Sequence, residues 1–466
     1  MSLLLRNGRV ITAERDEIAD VFIAHDRVTD IGPSLKGAGA EVIDASGLFV
    51  IPGGVDPHTH MEAPVGGTLS SDDFETGTRA AAWGGTTTVI DFATQARGVS
   101  LRTTLDLWQE KARKSTIDYA LHMIVVDLPP DPRPALEEMV AYGVTSFKVF
   151  TAYPGVLMSD DALILRLLEE SRALGALVCV HAENGTVIAD LVRRALARGQ
   201  TAPFYHARTR PPEAEAEATH RALRLAEMAG APVYIVHVTC RQALGEIRDA
   251  RARGVRALGE TCPQYLLLTE EELARPGMEG AKFVLTPPLR SRPDGESLWQ
   301  ALEEGDLQAV STDHCPFMYD GQKLADTRDF TRIPNGGPGV EHRLQLTYHY
   351  GVLGRGMTLR RWVEINSASP ARIFGLYPRK GTIRVGSDAD IVLWNPGARS
   401  TISCATHHMQ VDYSLFEGWT VTGNADIVIA RGEVLIRDGR WLGRRGRGRY
   451  LHRSPDGGAS ASPTGP

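Results

Sequence analysis

The sequence predicts an α/β protein built on a (β/α)8 barrel, with a small β-sandwich domain formed by its two flanks. Short β-branched runs alternate with amphipathic helical segments through the middle of the chain, and eight such units fit between residues 53 and 375. Both flanks instead show short alternating strands separated by Gly/Asp turns. We therefore expect a barrel over residues 53–375, a sandwich from residues 1–52 and 376–443, and a tail over residues 444–466.

Eight apolar runs are the candidate barrel strands. In chain order they are LFVIPGGVD, TTTVIDFA, YALHMIVVD, SFKVFTA, LVCVHAE, VYIVHVT, RALGETC and LQAVSTDH. The helical segment after SFKVFTA begins near Ser159, Asp160 and Asp161, residue types that favour a helix N-terminus, and is closed by Gly175. A doubly wound open sheet is the alternative, and it is disfavoured because no G-x-G-x-x-G follows the first strand.

The flanks carry strands of a different kind. LLLRNGRVIT and DVFIAHDRVTDIG come before the barrel, and GTIRVGSDADIVLW and NADIVIARGEVLIRDGRW come after it. We expect both sets to fold together into one sandwich with the barrel inserted between them. The following basic run, GRRGRGRYLHR, is interpreted as a solvated or subunit-docking tail, and the last stretch, SPDGGASASPTGP, is predicted to be disordered.

Composition narrows the class of protein. The chain has 466 residues, of which 42% are hydrophobic and 23% charged, as in ordinary globular proteins. A net charge of −6 argues against a dedicated nucleic-acid binder. The five scattered cysteines form no C-x-x-C and suit a reducing compartment. No apolar run reaches the roughly 18 residues of a membrane span, and the first residues do not resemble a signal peptide. We therefore expect a soluble, cytoplasmic protein with no membrane partner.

Polar side chains lie at or near the ends of five predicted strands. They are His58 and His60 on the first strand, Lys148 on the fourth, His181 on the fifth, His237 on the sixth and Asp313 on the eighth. The carboxyl ends of barrel strands share one rim, so these side chains should face the same mouth. Residues two apart in a strand point to one side, so His58 and His60 could hold one divalent ion. Each residue alone has an ordinary explanation, such as a core histidine or a turn cap, but together they favour a metal site.

Lys148 is the unusual member of this set, because an ammonium group beside metal ions would be repelled. Burial can lower the pKa of a lysine and leave a neutral, nucleophilic amine. Such an amine could add carbon dioxide and become a carbamate, N6-carboxylysine. The two carbamate oxygens could then bridge two ions, which would in turn stabilise the anion.

The order H-x-H, K, H, H, D on a barrel with split β flanks resembles the amidohydrolase superfamily. The stretches DPHTH, GGTTTVIDF, TSFKVFTAY, HAENG, TPPLR, TDHCPF and IPNGGPGVE resemble, within it, the dihydropyrimidinase/hydantoinase family. The resemblance covers nearly the whole chain and implies a homotetramer or homodimer. It also implies two divalent ions, held as follows: His58, His60 and Asp313 on one, His181 and His237 on the other, and carbamylated Lys148 between them. Zinc is the usual metal of this family, and manganese or cobalt is the alternative.

The resemblance implies a hydrolase of cyclic ureides, which opens 5,6-dihydrouracil to N-carbamoyl-β-alanine and 5-substituted hydantoins to N-carbamoyl amino acids. Our mechanistic hypothesis is that a hydroxide shared by the two ions attacks the ring amide carbonyl. Tyr153 and a metal ion would stabilise the oxyanion, and Asp313 would carry the proton to the departing ring nitrogen. Backbone groups at Thr286 and Asn335 are implied to hold the ureide edge. Many relatives carry Ser in place of Thr286.

Other activities remain open at this point. Allantoinase is the nearest enzymatic alternative. Dihydroorotase is disfavoured, because H-x-H is followed there by L-R-E-P and here by MEAPVGG. The residues near the predicted mouth instead form an apolar rim of Val65, Val156, Leu157 and Met158. Scaffold proteins of this sequence style lack metal ligands, and the presence of all six ligand positions argues against that alternative. The role of His314 is left open.

Overall fold

The computed structural model describes residues 2–37 and 39–455. Its strands are β1 (Ser2–Ile11), β2 (Asp16–Ala24), β3 (Arg27–Gly32), β4 (Glu41–Asp44), β5 (Phe49–Pro52), β6 (Gly54–Thr59), β7 (Pro64–Val65), β8 (Thr68–Leu69), β9 (Thr86–Thr94), β10 (Asp118–Ile124), β11 (Ser146–Phe150), β12 (Leu177–His181), β13 (Val233–Ile235), β14 (Ala257–Thr261), β15 (Ala309–Val310), β16 (Ile391–Thr401), β17 (Thr420–Ala430), β18 (Glu433–Arg437) and β19 (Arg440–Trp441).

The α-helices are α1 (Thr76–Trp83), α2 (Leu101–Ala112), α3 (Arg133–Ala141), α4 (Asp161–Ala173), α5 (Gly185–Ala197), α6 (Phe204–Arg208), α7 (Pro212–Ala229), α8 (Arg241–Ala252), α9 (Pro263–Leu267), α10 (Arg292–Glu304), α11 (Arg343–Leu346), α12 (Leu359–Val363) and α13 (Ser369–Ile373). Short 3-10 or π turns lie at Glu270–Ala274, Glu279–Phe283, Tyr319–Lys323, Phe330–Arg332, Thr347–Leu353 and Glu364–Ala368. None of the helices in the described part of the chain has the length and apolar character that crossing a membrane requires.

Eight parallel strands form the predicted barrel. Their order in the sheet is β15-β14-β13-β12-β11-β10-β9-β6. The two ends of this order meet at a seam, where Thr59 and His314 form a parallel bridge and the His60 N–H donates to the His314 carbonyl over 2.9 Å. The Thr312 hydroxyl also donates to an Asp56 carboxylate oxygen at 2.6 Å. The barrel prediction is therefore confirmed, although β15 is short and residues beyond it complete the closure.

The barrel strands form where the sequence is apolar on both faces. Every residue of β10, β11 and β12 is buried, as expected when helices cover one face of a parallel sheet and the barrel interior covers the other. The helix predicted after SFKVFTA is α4. Its N-cap is Asp160, whose carboxylate accepts from the Leu163 N–H at 2.8 Å, and the chain leaves the helix through Gly175 at φ 66°.

The two flanks share a second, mostly antiparallel sheet of nine strands. Its order is β19-β18-β17-β16-β5-β1-β2-β3, with β4 paired to β1. The strand β5 connects the flanks, because it pairs with β1 on one side and with β16 on the other. Apolar side chains from both flanks, such as Val10, Ile391 and Ile429, pack in one cluster. The inference that the flanks fold together is thereby confirmed.

A cluster of buried charges joins this sheet to the amino-terminal end of the barrel. The Lys380 ammonium lies 2.7 Å from an Asp118 oxygen, 3.0 Å from Asp388 and 2.8 Å from Asp390. Asp118 begins β10, and it also accepts from the Arg431 guanidinium just after β17. Burial alone would lower the pKa of Lys380, but Asp390, Asp118 and Asp388 raise it above the ordinary value.

The basic run after β19 differs from the expectation of a solvated or subunit-docking tail. Leu451 and Arg453 are buried in the same chain, against the barrel. Tyr119 exchanges backbone hydrogen bonds with Arg449 and Leu451, and Arg453 donates to the Ser146 hydroxyl at 2.8 Å. Arg453 is buried here because the Ser146 hydroxyl and the Leu121 carbonyl of the barrel accept hydrogen bonds from its guanidinium. The predicted disorder of the last residues falls on 456–466, outside the described residues.

Candidate active site

The polar side chains singled out in the sequence lie together at the carboxyl-terminal mouth of the barrel. His58, Lys148 and His181 belong to β6, β11 and β12, and His237 and Asp313 follow β13 and β15. Parallel strands end at one rim, so residues that are up to about 250 positions apart in the chain become neighbours.

The first group at this mouth consists of His58, His60 and Asp313. The Nε2 atoms of the two histidines are 3.2 Å apart. Both face the same Asp313 oxygen, Oδ1, at 3.1 Å and 3.2 Å. Among the described residues this is the one set of three histidine, cysteine or acidic side chains whose ligand atoms all lie within 4.8 Å of one another.

The second group consists of His181 and His237. The His181 Nδ1 and the His237 Nε2 are 2.9 Å apart, and both rings are buried. Burial lowers the pKa of both histidines, which favours neutral imidazoles at neutral pH. A cation shared by the two residues would need two neutral rings whose nitrogen atoms face each other, and this pair has that arrangement.

Lys148 lies beside the first group. Its side chain is buried, and its Nζ lies 3.0 Å from the His58 Nε2 and 4.1 Å from the centre of the Phe92 ring. Within residues 2–37 and 39–455 no carboxylate oxygen comes within 4.0 Å of this nitrogen. Burial therefore lowers the pKa of Lys148, as expected for an amine that can react with carbon dioxide.

The chemistry of these side chains fits divalent metal ions. Burial lowers the pKa of His60 to about 4, so this ring is neutral and able to bind a metal near neutral pH. Burial alone would raise the pKa of Asp313, but His58 and His60 lower it well below its usual range. The neutral His60 imidazole and the ionised Asp313 carboxylate are nitrogen and oxygen ligands of the kind that zinc and similar ions accept.

Two glutamates that the sequence analysis did not single out support the histidines. The Glu260 carboxylate lies 2.6 Å from the His58 Nδ1 and also accepts from the Tyr234 hydroxyl at 3.0 Å. Glu183 lies 2.8 Å from the His181 Nε2. Each carboxylate fixes which ring nitrogen carries the proton and leaves the other nitrogen facing the mouth. The only sequence signal was a glutamate at or just beyond the end of an apolar strand.

His314, whose role was open, supports the barrel seam. Its Nε2 lies 3.0 Å from an Asp72 oxygen, and its Nδ1 accepts from the Gly339 N–H at 3.1 Å. Both ring nitrogens are therefore occupied by partners outside the two groups of candidate ligands. This places His314 in the structure that holds Asp313 rather than among the metal-binding candidates.

Tyr153, Thr286 and Asn335 line the cavity that contains His60, Lys148 and the other mouth residues. The Asn335 side-chain amide donates to the Tyr153 hydroxyl at 3.4 Å. Burial raises the pKa of Tyr153, so the phenol keeps its proton at neutral pH and can donate a hydrogen bond. Across the described residues, the backbone N–H groups of Thr286 and Asn335 have no hydrogen-bond partner.

The predicted apolar rim is present in part. Val65, Val156 and Leu157 line the cavity. Met158 does not, because its backbone is bridged to Phe150 on β11. The rim leaves room for hydrogen or for an apolar substituent, and the lining contains no arginine that could bind a substrate carboxylate.

Three mouth residues have left-handed backbones although none is glycine. The φ angle is 63° at Tyr153, 38° at His237 and 50° at Asp313. Such a conformation costs of order 1–3 kcal/mol per residue and persists only where the surroundings enforce it. The turns that leave β11, β13 and β15 are thus shaped to aim these side chains into the cavity.

Comparison with known proteins agrees with this arrangement. The chain is 52% identical to the D-hydantoinase of Streptomyces coelicolor over 457 residues, which cover 97% of this chain and 98% of the relative. It is 48% identical to the D-hydantoinase of Geobacillus stearothermophilus, with 98% of each chain covered. The crystal structure of dihydropyrimidinase from Brevibacillus agri superimposes with a TM-score of 0.97 at 49% identity, covering 98% of this chain and 99% of that one. Residues 49–435 match the amidohydrolase family, and this chain belongs to that family.

Proposed function

We propose that this protein is a hydrolase that opens the ring of hydantoins and dihydropyrimidines. The observation that carries the proposal is that six polar side chains from five strands meet at one mouth, in a chain about half identical to proteins named D-hydantoinase. The names of those relatives also support a preference for D-5-substituted hydantoins. A homodimer or homotetramer and a cytoplasmic location remain predictions.

Two divalent ions, most simply zinc, fit the mouth. The residues that would hold them are His58, His60 and Asp313 for one ion, His181 and His237 for the other, and Lys148, carboxylated by carbon dioxide, between the two. When bound, such ions acidify water and polarise a carbonyl group. The burial of Lys148 and the low pKa of its amine support carboxylation, because only the neutral amine adds carbon dioxide.

Asp313 and Tyr153 supply the proton chemistry of the ring opening. A water oxygen bonds to the ring amide carbonyl carbon, and the Asp313 carboxylate accepts the proton that the water loses. The protonated Tyr153 hydroxyl donates a hydrogen bond to the carbonyl oxygen as negative charge develops on it. Asp313 then returns the proton to the ring nitrogen as the carbon–nitrogen bond breaks. The product is an N-carbamoyl amino acid.

Thr286 and Asn335 would hold the ureide through their backbones. A cyclic ureide presents carbonyl oxygens and ring N–H groups in one plane, and the unpartnered N–H groups of these two residues can donate to such oxygens. Val65, Val156 and Leu157 would contact the 5-substituent, because they form the apolar side of the same cavity. These contacts orient the amide carbonyl toward the metal-binding side chains.

The experiment that tests this function pairs metal analysis with hydrolysis assays on dihydrouracil, D- and L-5-phenylhydantoin, allantoin and dihydroorotate. We expect about two metal ions per chain and opening of dihydrouracil and the D-hydantoin. Asp313→Asn should lose about 10²- to 10⁴-fold in turnover, because the proton carrier is removed. The matched control is Asp326→Asn, which changes a half-buried carboxylate that is paired with Arg328 away from the mouth.

Three outcomes would contradict the proposal. Turnover of allantoin or dihydroorotate alone would keep the chemistry and change the substrate. A near-normal rate in Asp313→Asn with intact metal would remove the assigned role of Asp313. No metal and no turnover after supply of zinc and bicarbonate would favour the scaffold alternative.

A further inference from the structure

Lys323 is a fully buried lysine outside the metal-binding cluster. It ends the turn Tyr319–Lys323, and its Nζ donates to the Val284 carbonyl at 3.0 Å and to the Pro334 carbonyl at 3.1 Å. Val284 lies two residues before Thr286, and Pro334 directly precedes Asn335. We propose that Lys323 is a positioning residue for the edge that binds the cyclic ureide. The proposal rests on the proposed function, because it takes Thr286 and Asn335 as the contact points.

The Lys323 Nζ ties together the two segments that carry these contact points. The Val284 carbonyl also accepts from the Gly336 N–H at 3.1 Å, so the segments are linked directly as well as through Lys323. Gly336 has a φ of 150°, and a Cβ there would meet the Cys315 carbonyl oxygen at 2.2 Å. Because the loop is packed this closely, Lys323 sets the distance between the Thr286 and Asn335 backbones.

Lys323 also acts on the peptide group that faces the ligand. The Pro334 carbonyl and the Asn335 N–H belong to one peptide, so the Lys323 donor on the oxygen polarises the N–H into a better donor, most strongly when the amine is protonated. The peptide before Thr286 has the same arrangement, since the His206 Nε2 lies 2.9 Å from the Leu285 carbonyl. In each of these two peptides, a buried side-chain nitrogen contacts the carbonyl oxygen, while the N–H group without a partner lies at the cavity.

Fold stability alone does not account for a lysine at this position. In the described part of the chain no carboxylate oxygen lies within 4.0 Å of the Lys323 Nζ. Burial lowers the pKa of Lys323 to about 7, which reflects the cost of a charge without a counter-ion. An apolar side chain of similar length would avoid that cost. The feature that an apolar side chain cannot supply is the pair of hydrogen bonds to the ureide-binding segments.

Lys323→Met and Lys323→Gln test the proposal in the metal-loaded enzyme. We expect Lys323→Met to raise KM for dihydrouracil about tenfold or more, with kcat changed about threefold at most, because lost hydrogen bonds weaken ureide binding in the ground and transition states alike. Lys323→Gln should be intermediate, since an amide donates without charge. The matched control is Lys282→Met, which changes a half-buried lysine paired with Glu279 at 2.6 Å.

Hydrogen exchange supplies a readout that does not depend on activity. We expect backbone exchange in Lys323→Met to quicken about tenfold in the segments around residues 284–286 and 333–337, while β11 and β12 stay as protected as in the unaltered protein. Unchanged KM and unchanged exchange would overturn the proposal, as would a uniform rise in exchange, which would indicate a merely structural role. If the unaltered protein opens no ureide, the proposed function fails, and exchange still decides whether Lys323 holds the two segments.

Discussion

The two ends of the barrel each bury a lysine, and the two lysines have opposite surroundings. Lys148 at the mouth and Lys380 at the amino-terminal end are each only 1% exposed. Three carboxylates lie within 3.0 Å of the Lys380 ammonium, whereas Lys148 faces a histidine and a phenylalanine ring. The pKa of Lys380 is accordingly raised and that of Lys148 lowered.

The difference shows that burial alone does not determine the role of a lysine. The groups around its side-chain nitrogen determine whether it stays charged. A lysine surrounded by carboxylates stays charged and joins elements of the fold. A lysine buried without them is held ready to lose its proton and to react. Lys323, with two carbonyl partners, is an intermediate case. Three predictions would break or sharpen this comparison, and they follow in order of expected effect.

The largest effect is expected for Lys148→Met. Turnover should fall by about three orders of magnitude or more, because the group proposed to lie between the two metal ions is lost. The free energy of unfolding should stay the same or rise, because an uncompensated buried amine is replaced by an apolar side chain. Steady-state assays and urea unfolding of the metal-free protein measure the two quantities. Substantial residual activity would contradict the role of Lys148, and a large loss of stability would contradict the comparison.

Lys380→Met should show the opposite pattern. Removing the cation leaves three buried carboxylates without their main partner, so the free energy of unfolding should fall by about 3–5 kcal/mol. Arg193→Met, which removes one side of an exposed pair with Asp190, should cost less than about 1 kcal/mol. Urea unfolding at neutral pH compares the two variants. Equal losses of unfolding free energy in the two variants would show that the buried ion pairs of Lys380 stabilise the fold no more than an exposed pair does.

The smallest effect is the change that His342 makes in the free energy of unfolding when the pH is lowered to mildly acidic values. Burial lowers the pKa of His342 to about 4, so the unfolded chain binds more protons below the ordinary value of 6.5. Stability is therefore complete above pH 6.5 and decreases toward pH 4. The Asp118 carboxyl has a lowered pKa, which makes its contribution decrease only below its ordinary value of 3.8. Lys380 has a raised pKa and loses its contribution only above 10.5.

Between pH 7.5 and 5 we therefore expect His342 to contribute about 2 kcal/mol to the fall in the free energy of unfolding, beside the losses from other buried histidines such as His60 and His181. Urea unfolding at the two pH values measures this loss, and His342→Gln should remove its share. An unchanged stability over this range would contradict the assignment. A loss of the same size in His342→Gln and in the unaltered protein would contradict the share assigned to His342.

The sequence was sufficient to predict features that depend on the order of the strands. It was not sufficient for contacts that depend on how side chains pack. Parallel strands bring their ends to one rim, so His58, Lys148 and Asp313 could be placed together without coordinates. Glu260 was missed because a glutamate at the end of an apolar strand has no distinct pattern until the His58 Nδ1 is seen beside it. The roles of the individual site residues, like the domain boundaries, stay predictions.

The same limit explains three other misses. Lys323 lies in an irregular turn, and its burial depends on carbonyl groups from segments that are distant in the chain. The arginines of the run after β19 suggested exposure to solvent, because a sequence does not show the acceptors that bury Arg453. Met158 was expected at the rim from its position in the loop, but backbone pairing with Phe150 turns it away.

The pairing of β5 with β16 has a consequence for how the protein is made. β16 begins at Ile391, about 340 residues after β5 ends at Pro52. At a synthesis rate of roughly 5–20 residues per second, β5 waits roughly 20 to 70 s for its partner. Throughout that interval one edge of the strand is open to pairing with other nascent chains. The yield of soluble protein should therefore respond to expression rate and to chaperone supply more strongly than the stability of the finished molecule suggests.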